Sequence, residues 1–289
     1  MPVCKFDNIN INYEIFGKGF PMVLSHGYTA NWQIWAPQIE ALSGSYQVIV
    51  YDARGHGLSS APAGAENYSL DIMVEDLHQL VTQLGLRKAY IGGLSMGGAT
   101  SLGYVYKHPE GVQALLALDI HGAFQPRDPQ DQGVFAKIHA EGEKIALQRG
   151  MADLARHQIE VGGAFRPILQ DKAIQARYIE DMARCPVNGY IGVGRAQPWQ
   201  TEWQRQAADH INVPTLIAVG ADDIFTLTGA RILHKHIQGS RLVEIGGCVH
   251  GTAQWRPDLI NRSILDFLKL VEAGQPVAGA LAFKQKTNT

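Results

Sequence analysis

The sequence predicts an α/β fold: a doubly wound, mostly parallel sheet with an inserted helical cap. Three observations support this prediction. Continuous apolar runs, each followed by a turn, recur in the first 120 residues and again after residue 211. Helical stretches alternate with these runs, as in parallel sheets covered on both faces. Between the two sets, the interval from about 120 to 210 has only helical periodicity.

Length and composition favour one domain with an insertion. The chain has 289 residues, of which 46% are hydrophobic and 18% charged, a balance typical of a folded globular protein. Single α/β domains commonly reach this length. We assign a core domain to residues 1–119 and 211–273, a helical cap to 120–210, and a loosely ordered tail to 274–289.

Charge and cysteine content exclude several classes of protein. Twenty-five basic and 27 acidic residues give a net charge of -2, with no basic stripe for nucleic acid. The three cysteines form no CxxC pair, which argues against a disulfide framework or a zinc site. The N-terminus lacks a signal-peptide run and no stretch approaches the ~20 apolar residues of a membrane span. We therefore expect a cytoplasmic protein that does not contact a membrane.

The order of elements follows from periodicity and turn residues. Residues 3 to 16 predict a hairpin of two short strands around Asp7-Asn8, because apolar and polar residues alternate there. Helices are predicted from Asp71 to Leu84, where Gly85 marks the stop, and from about Leu259 to Val271. The predicted strands of the parallel sheet are Met22–Leu24, Val48–Tyr51, Ala89–Ile91, Leu115–Leu118, Thr215–Val219 and Arg241–Ile245.

The most informative segment is Gly93-Leu-Ser-Met-Gly97, which lies between an apolar strand and a predicted helix. This is the G-x-S-x-G pattern in its strand–turn–helix context. A serine hydroxyl is a weak nucleophile, so it must project at the positive end of a helix where a base can reach it. Glycine is expected at positions 93 and 97 because any side chain there would crowd the neighbouring strand and helix. Ser95 is the predicted nucleophile; the alternative is an ordinary glycine-rich βα turn.

Two backbone N–H groups are the predicted oxyanion donors. Tyr28 follows His26-Gly27 at the end of an earlier strand, and Met96 follows Ser95 directly. His26 is predicted to tie loops together, because a histidine before a glycine at a strand end more often does this than transfers protons.

The base is expected late in the chain, on a loop that lets its ring swing over the serine. His250 lies in Gly246-Gly-Cys-Val-His-Gly251, directly after a predicted strand. His139, His157 and His210 occupy polar helical stretches typical of solvated positions. In an earlier loop, Asp52 and Arg54 are predicted to pair and to brace the floor of the site.

The acid is expected between Ser95 and His250, in the chain order Ser, then Asp or Glu, then His. Asp222 and Asp223 follow a predicted strand there, and only one of two adjacent residues can point at the ring. We favour Asp223. Asp119 is the reserve candidate, because it also leaves a parallel strand at its carboxyl end.

With these residues in place, the chain resembles the α/β-hydrolase superfamily, specifically its esterase, lactonase and carbon–carbon-bond hydrolase branch. The resemblance implies Ser95 as nucleophile, Asp223 as acid and His250 as base. A serine at position 95 argues against dehalogenase and epoxide-hydrolase relatives, whose elbow nucleophile is aspartate. Relatives often carry proline shortly after the acid, where this chain has Ile224-Phe225-Thr226. The matching segments are Ser25–Tyr28, Tyr51–Ser59, Gly93–Gly98, Gly220–Asp223 and Val249–Gly251.

The resemblance implies hydrolysis of a carboxylic ester or lactone of a small, largely apolar molecule through an acyl-enzyme, without a metal or organic cofactor. It leaves open carbon–carbon-bond hydrolysis of a diketone-like compound, cofactor-free perhydrolase chemistry, and a non-catalytic receptor for a small ligand. It fades between about 119 and 210. Trp199 and Trp203 are candidate substrate contacts there, although aromatic residues in a cap helix more often pack.

Overall fold

The computed structural model describes residues 2–120, 129–161, 171–196 and 203–284, with the backbone alone for 129–136 and 203–205. Within these residues, nine strands form one sheet. Their bounds are β1 Val3–Phe6, β2 Ile9–Phe16, β3 Phe20–Ser25, β4 Tyr46–Tyr51, β5 Ala89–Leu94, β6 Val112–Leu118, β7 Thr215–Gly220, β8 Arg241–Ile245 and β9 Gly279–Phe283.

The sheet is mostly parallel, as predicted. Its strand order is β1-β2-β4-β3-β5-β6-β7-β8-β9. The predicted hairpin of β1 and β2 is antiparallel, β2 also pairs antiparallel with β4, and the other six pairings are parallel. Parallel strands place their carboxyl ends at one edge of the sheet, so the loops after β3, β5, β6, β7 and β8 meet there.

Helices cover both faces of the sheet, which confirms the doubly wound fold. One apolar cluster packs α2, α3 and α9 on the first face, and a second cluster packs α1 and α11 on the other. The central strands β5 and β7 are buried along their whole length, because neither of their faces meets water. The helices of the sheet domain are α1 Ala36–Leu42, α2 Leu70–Gln83, α3 Met96–Lys107, α9 Leu227–His236, α10 Thr252–Trp255 and α11 Pro257–Glu272.

Every secondary-structure element described between β6 and β7 is a helix. They are α4 Pro129–Arg149, α5 Met151–Val161, α6 Lys172–Ala183, α7 Val187–Ala196 and α8 Trp203–Ala208. The first four share a small apolar core of their own, built on Met151, Leu154, Met182 and Tyr190. This is the helical insertion that the sequence predicts. No helix in the described parts of the chain is long and apolar enough to cross a membrane.

The C-terminal segment differs from the loosely ordered tail predicted from residue 274. Gly279–Phe283 forms β9, which pairs in parallel with β8. Without it, β8 would leave a row of backbone N–H and C=O groups unpaired at the sheet edge. The prediction failed because β9 is mostly exposed and too short to show an apolar period. Val277, buried ahead of it, anchors the strand, and Arg241 Nε donates to the Val277 carbonyl at 2.8 Å.

Candidate active site

Ser95 lies between β5 and α3 in a strained backbone conformation. Its φ is +58° and its ψ is −115°, a region that non-glycine residues rarely occupy. The turn is held because the Ser95 N–H donates to the Leu118 carbonyl of the neighbouring strand at 2.9 Å. Ser95 is 9% exposed and directly follows β5 at the carboxyl edge of the sheet.

The two glycines of the elbow are required by sterics. A Cβ on Gly93 would lie 2.3 Å from the Gly97 carbonyl oxygen, and a Cβ on Gly97 would lie 2.1 Å from the Ser25 carbonyl oxygen. Both obstacles are backbone atoms, which cannot move aside as a side chain could. The sequence pattern therefore reflects the packing of β3, β5 and α3 around the serine.

The structure brings His250 and Asp223 together. His250 Nδ1 lies 2.8 Å from Asp223 Oδ2, although 27 residues separate them in sequence. Asp223 is buried at the end of β7, whereas Asp222 is exposed. The Asp223 carboxylate also accepts hydrogen bonds from the N–H groups of Phe225 at 2.9 Å and Thr226 at 3.3 Å, and from the Thr226 hydroxyl. These contacts fix the carboxylate against the imidazole.

Charges around the pair shift both pKa values. Burial alone would lower the pKa of His250, but the hydrogen bond to Asp223 and the charges of Asp223 and Asp119 outweigh it and raise the pKa. Burial would raise the pKa of Asp223, but the hydrogen bonds from His250 and Thr226 hold it below its usual value. Asp223 is therefore ionised near neutral pH and stabilises a protonated imidazole.

Asp119, the reserve acid, binds backbone groups of both loops. Its Oδ2 accepts from the N–H groups of Gly251 at 3.1 Å and Thr252 at 2.7 Å, and from the Thr252 hydroxyl at 2.8 Å. Its Oδ1 accepts from the Gly220 N–H at 3.3 Å. Asp119 is fully buried with φ +43°, and burial raises its pKa to about 6. It therefore braces the loops that carry Asp223 and His250, a role that the sequence did not reveal.

We expect Asp119→Asn to retain turnover within about tenfold of the wild type, because an amide oxygen can still accept from Thr252. The change removes a negative charge that raises the pKa of His250. His250 then stays neutral to lower pH, so the acid limb of the kcat/KM profile moves to lower pH. A pH–rate profile of the variant and the wild type measures this; a limb that moves to higher pH contradicts it.

The loop after β3 lies directly against Ser95. A Cβ on Gly27 would lie 3.4 Å from the Ser95 Cβ. The Gly27 carbonyl pairs with His26 Nδ1 at 2.7 Å and accepts from the Ala30 N–H at 3.2 Å. A trans peptide points its C=O and N–H in opposite directions, so the Tyr28 N–H points away from His26 Nδ1 and from the Ala30 N–H. Met96 begins α3, so its N–H has no acceptor within the helix.

His26 and His56 tie this loop to the loop after β4. His26 Nε2 accepts from the Ala53 N–H at 2.9 Å, and His56 Nε2 accepts from the Thr29 N–H at 3.1 Å. Burial lowers the pKa of His26 to about 4 and that of His56 to about 3, so both rings are neutral acceptors. His26 joins loops, as the sequence analysis predicted.

The predicted pairing of Asp52 with Arg54 is wrong. Arg54 instead binds Asp76 of α2 through two hydrogen bonds of 2.8 and 2.6 Å. Asp52 accepts from the side chain of Asn12 and from the N–H groups of Trp32 and Leu58 at 2.9 to 3.0 Å. The donors to Asp52 come from β2, from the loop after β3 and from its own loop. Arg54 reaches α2, a helix that the sequence predicts but does not place beside Arg54.

Residues 21–257 match the family described as alpha/beta hydrolase fold. The chain belongs to this family. It is 37% identical over 286 residues to a non-heme chloroperoxidase from Kitasatospora aureofaciens, covering 93% of this chain and 99% of the relative.

Two solved structures of the family are similar to this chain over nearly their full length. The enol-lactonase from Burkholderia xenovorans LB400 has a TM-score of 0.79 at 26% identity, covering 93% of this chain and 100% of the other. The bromoperoxidase from Bacillus anthracis has a TM-score of 0.77 at 26% identity, covering 90% and 96%. The fold is thus shared by α/β hydrolases that carry different activity names.

The cap is the part of this α/β hydrolase that sequence reasoning described least well. Trp199 lies outside the described residues, as does the side chain of Trp203, so their predicted substrate contacts remain predictions. His139, expected at a solvated position, is instead buried, 6% exposed. Its Nδ1 lies 3.0 Å from Glu143 Oε1, four residues along α4. An i,i+4 pair of this kind is typical of exposed helix faces, so the local sequence carried no signal for a buried histidine.

Proposed function

We propose that this chain hydrolyses a carboxylic ester or lactone of a small, largely apolar molecule through an acyl-enzyme on Ser95. The 2.8 Å contact between His250 Nδ1 and Asp223 Oδ2, at the sheet edge where the strained Ser95 elbow also ends, carries this proposal. A buried carboxylate bound to Nδ1 leaves Nε2 as the nitrogen that accepts a proton. Ser95 is then nucleophile, His250 base and Asp223 acid.

The proposed reaction has two steps. His250 Nε2 takes the Ser95 hydroxyl proton as Oγ attacks the carbonyl carbon, and the N–H groups of Tyr28 and Met96 stabilise the oxyanion. Collapse breaks the ester bond, and His250 returns the proton to the leaving alkoxide. Water, deprotonated by His250, then attacks the acyl-enzyme and releases the carboxylic acid. Neither a metal nor an organic cofactor takes part in this chemistry.

A second candidate is perhydrolase chemistry, in which hydrogen peroxide replaces water at the second step and a peracid leaves. The names of two relatives favour it, since one is a chloroperoxidase and another a bromoperoxidase. The enol-lactonase relative favours the hydrolytic reaction. Both reactions share the acyl-enzyme, so they differ only in the nucleophile that the site accepts at deacylation.

A substrate panel tests the proposal. The panel contains p-nitrophenyl esters, alkyl esters, γ-lactones and β-diketones, each assayed with and without hydrogen peroxide. We expect acid and alcohol products from esters or lactones, with an acyl adduct on Ser95 in quenched samples. Peracid as the main product with millimolar peroxide would favour the perhydrolase. Cleavage of diketones alone would replace the proposal by carbon–carbon-bond hydrolysis, and binding without turnover of any compound would replace it by a receptor.

An apolar turn beside the base supports the apolar part of the proposal. Ile224 is 75% exposed and Phe225 41% exposed, which leaves apolar surface in water without benefit to folding. The Phe225 ring stands edge-on to the His250 imidazole, with centroids 6.2 Å apart and planes at 85°. An apolar group of a substrate bound at Ser95 would cover this surface.

We therefore expect Phe225→Ser to reduce the preference for long chains. One series varies the acyl chain and compares kcat/KM for p-nitrophenyl octanoate with that for p-nitrophenyl acetate. The other varies the alcohol chain and compares kcat/KM for octyl acetate with that for ethyl acetate. We expect the long-to-short ratio to fall about tenfold in at least one series. Leu265→Ser, on α11 and similarly exposed at 38%, is the matched control and should leave both ratios unchanged. Unchanged ratios in Phe225→Ser would rule out contact with the substrate chain.

A further inference from the structure

The side chain of Tyr28 extends from the oxyanion loop into the cap. Its hydroxyl donates to the Tyr190 carbonyl of α7 at 2.6 Å and lies 3.1 Å from His139 Nε2 of α4. Its ring stacks on the Tyr190 ring, with centroids 5.8 Å apart and planes within 8°. Burial raises the pKa of Tyr28 well above its usual value, so the phenol keeps its proton. One side chain therefore contacts two cap helices.

The cap partners of Tyr28 are themselves fixed to one another. His139 Nδ1 lies 3.0 Å from Glu143 Oε1, and Arg195 of α7 binds both Glu143 oxygens at 2.9 and 2.6 Å. The hydrogen bonds from Arg195, the charges of His139 and Arg195, and the hydrogen bond with His139 hold the pKa of Glu143 below its usual value despite burial. We call Tyr28, His139, Glu143, Tyr190 and Arg195 the cap latch.

Glycines let the helices of the cap latch approach closely. A Cβ on Gly194 would lie 1.7 Å from His139 Nε2, and a Cβ on Gly142 would lie 2.2 Å from the Tyr190 hydroxyl oxygen. On the core side, a Cβ on Gly189 would lie 1.7 Å from the Gly55 carbonyl oxygen. Helix α7 therefore packs directly against the loop after β4 and against α4, and this packing fixes the position of the Tyr190 carbonyl.

We propose that Tyr28 is a positioning residue that couples docking of the cap to alignment of the oxyanion hole. The inference rests on the proposed function, in which the Tyr28 N–H binds the oxyanion. The Gly27 carbonyl, held by His26 and Ala30, fixes one end of that peptide, and the side chain held in the cap fixes the Tyr28 Cα. If the Tyr28 side chain is released from the cap, the Tyr28 Cα can move and the Tyr28 N–H tilts away from the oxyanion.

The kinetic signature follows from the chemistry. A misaligned oxyanion donor weakens an interaction made in the transition state and leaves ground-state binding almost unchanged. Loss of the cap latch should therefore lower kcat and leave KM near its wild-type value. A merely structural role would lower the amount of folded protein, with kcat per active site unchanged.

Tyr28→Phe tests the inference directly, because it removes the hydroxyl and keeps the ring. We expect kcat for a p-nitrophenyl ester, per titrated active site, to fall about tenfold with KM within twofold. Tyr46→Phe is the matched control, since the Tyr46 hydroxyl also donates one hydrogen bond, to Glu272 at 2.8 Å, at the far end of β4. We expect the control to keep its kcat.

Gly194→Ala tests the same coupling from the cap, without a change to Tyr28. Its methyl group displaces the His139 ring, and we expect the same fall in kcat at constant KM. Wild-type kcat in both variants, or a change confined to KM, overturns the inference. A wild type that forms no acyl-enzyme would instead overturn the proposed function, so the two failures are distinguishable.

Discussion

We expect Asp223→Asn to lower kcat/KM by about four orders of magnitude. The hydrogen bonds that the Asp223 carboxylate accepts determine the orientation of the asparagine amide in the variant. Oδ1 accepts from the N–H groups of Phe225 and Thr226, so the amide oxygen takes this place. The amide NH₂ group then faces His250 Nδ1 and donates to it. Nδ1 becomes an acceptor, Nε2 carries the proton, and the ring cannot accept the proton of Ser95.

Asp222→Asn is the matched control for this change. Asp222 precedes Asp223 but is exposed, so its substitution should leave kcat/KM within twofold. Steady-state kinetics of the three proteins, with circular dichroism to verify folding, decides the acid. An Asp223→Asn variant at wild-type turnover, combined with a strongly impaired Asp119→Asn variant, would move the assignment to Asp119.

We expect Ser95→Ala to lower kcat by about five to six orders of magnitude, because no other group at the elbow replaces the nucleophile. The residual rate would come from the oxyanion donors and from substrate binding. Alanine also relieves no strain, since φ of +58° is as unfavourable for it as for serine. Folding should therefore be retained, and binding of a product acid, measured by calorimetry, should persist.

Ser101→Ala is the control for removal of a serine hydroxyl in the same helix. Ser101 lies on α3 and is fully buried, and its Oγ has no hydrogen-bond partner among the described residues. Its removal should leave kcat unchanged, because burial of an unsatisfied hydroxyl contributes nothing to the site. A Ser95→Ala variant that retains a hundredth of wild-type kcat would exclude Ser95 as nucleophile.

Local sequence was sufficient for much of the fold and for part of the site. Continuous apolar runs followed by turns predicted the parallel strands, because strands buried on both faces need such runs. The elbow was readable because its pattern, Gly93 to Gly97, is contiguous in sequence, although the contact that requires Gly97 comes from Ser25 of β3. Relative positions of distant segments were not readable: Asp223 and Asp119 both follow parallel strands, and only tertiary contacts with residues near 250 separate their roles.

The contacts of the cap latch also join residues that are distant in sequence, so local sequence did not predict them. Tyr28 and His139 lie 111 residues apart, and polar neighbours in α4 made His139 resemble a solvated residue. Its burial depends on α7, whose glycines leave space for the ring. Strand β9 escaped prediction for a related reason, because pairing with β8 stabilises it and its own side chains bury little surface.

Labelling with a fluorophosphonate probe, followed by peptide mapping, tests whether Ser95 is an activated nucleophile. The probe reacts with a serine whose hydroxyl is activated by a base and whose oxyanion is stabilised, so it requires the whole arrangement of Ser95, His250 and Asp223. We expect one adduct, on Ser95, that is lost on denaturation before labelling and strongly reduced in Asp223→Asn. The absence of an adduct at Ser95 in the native protein would contradict this expectation.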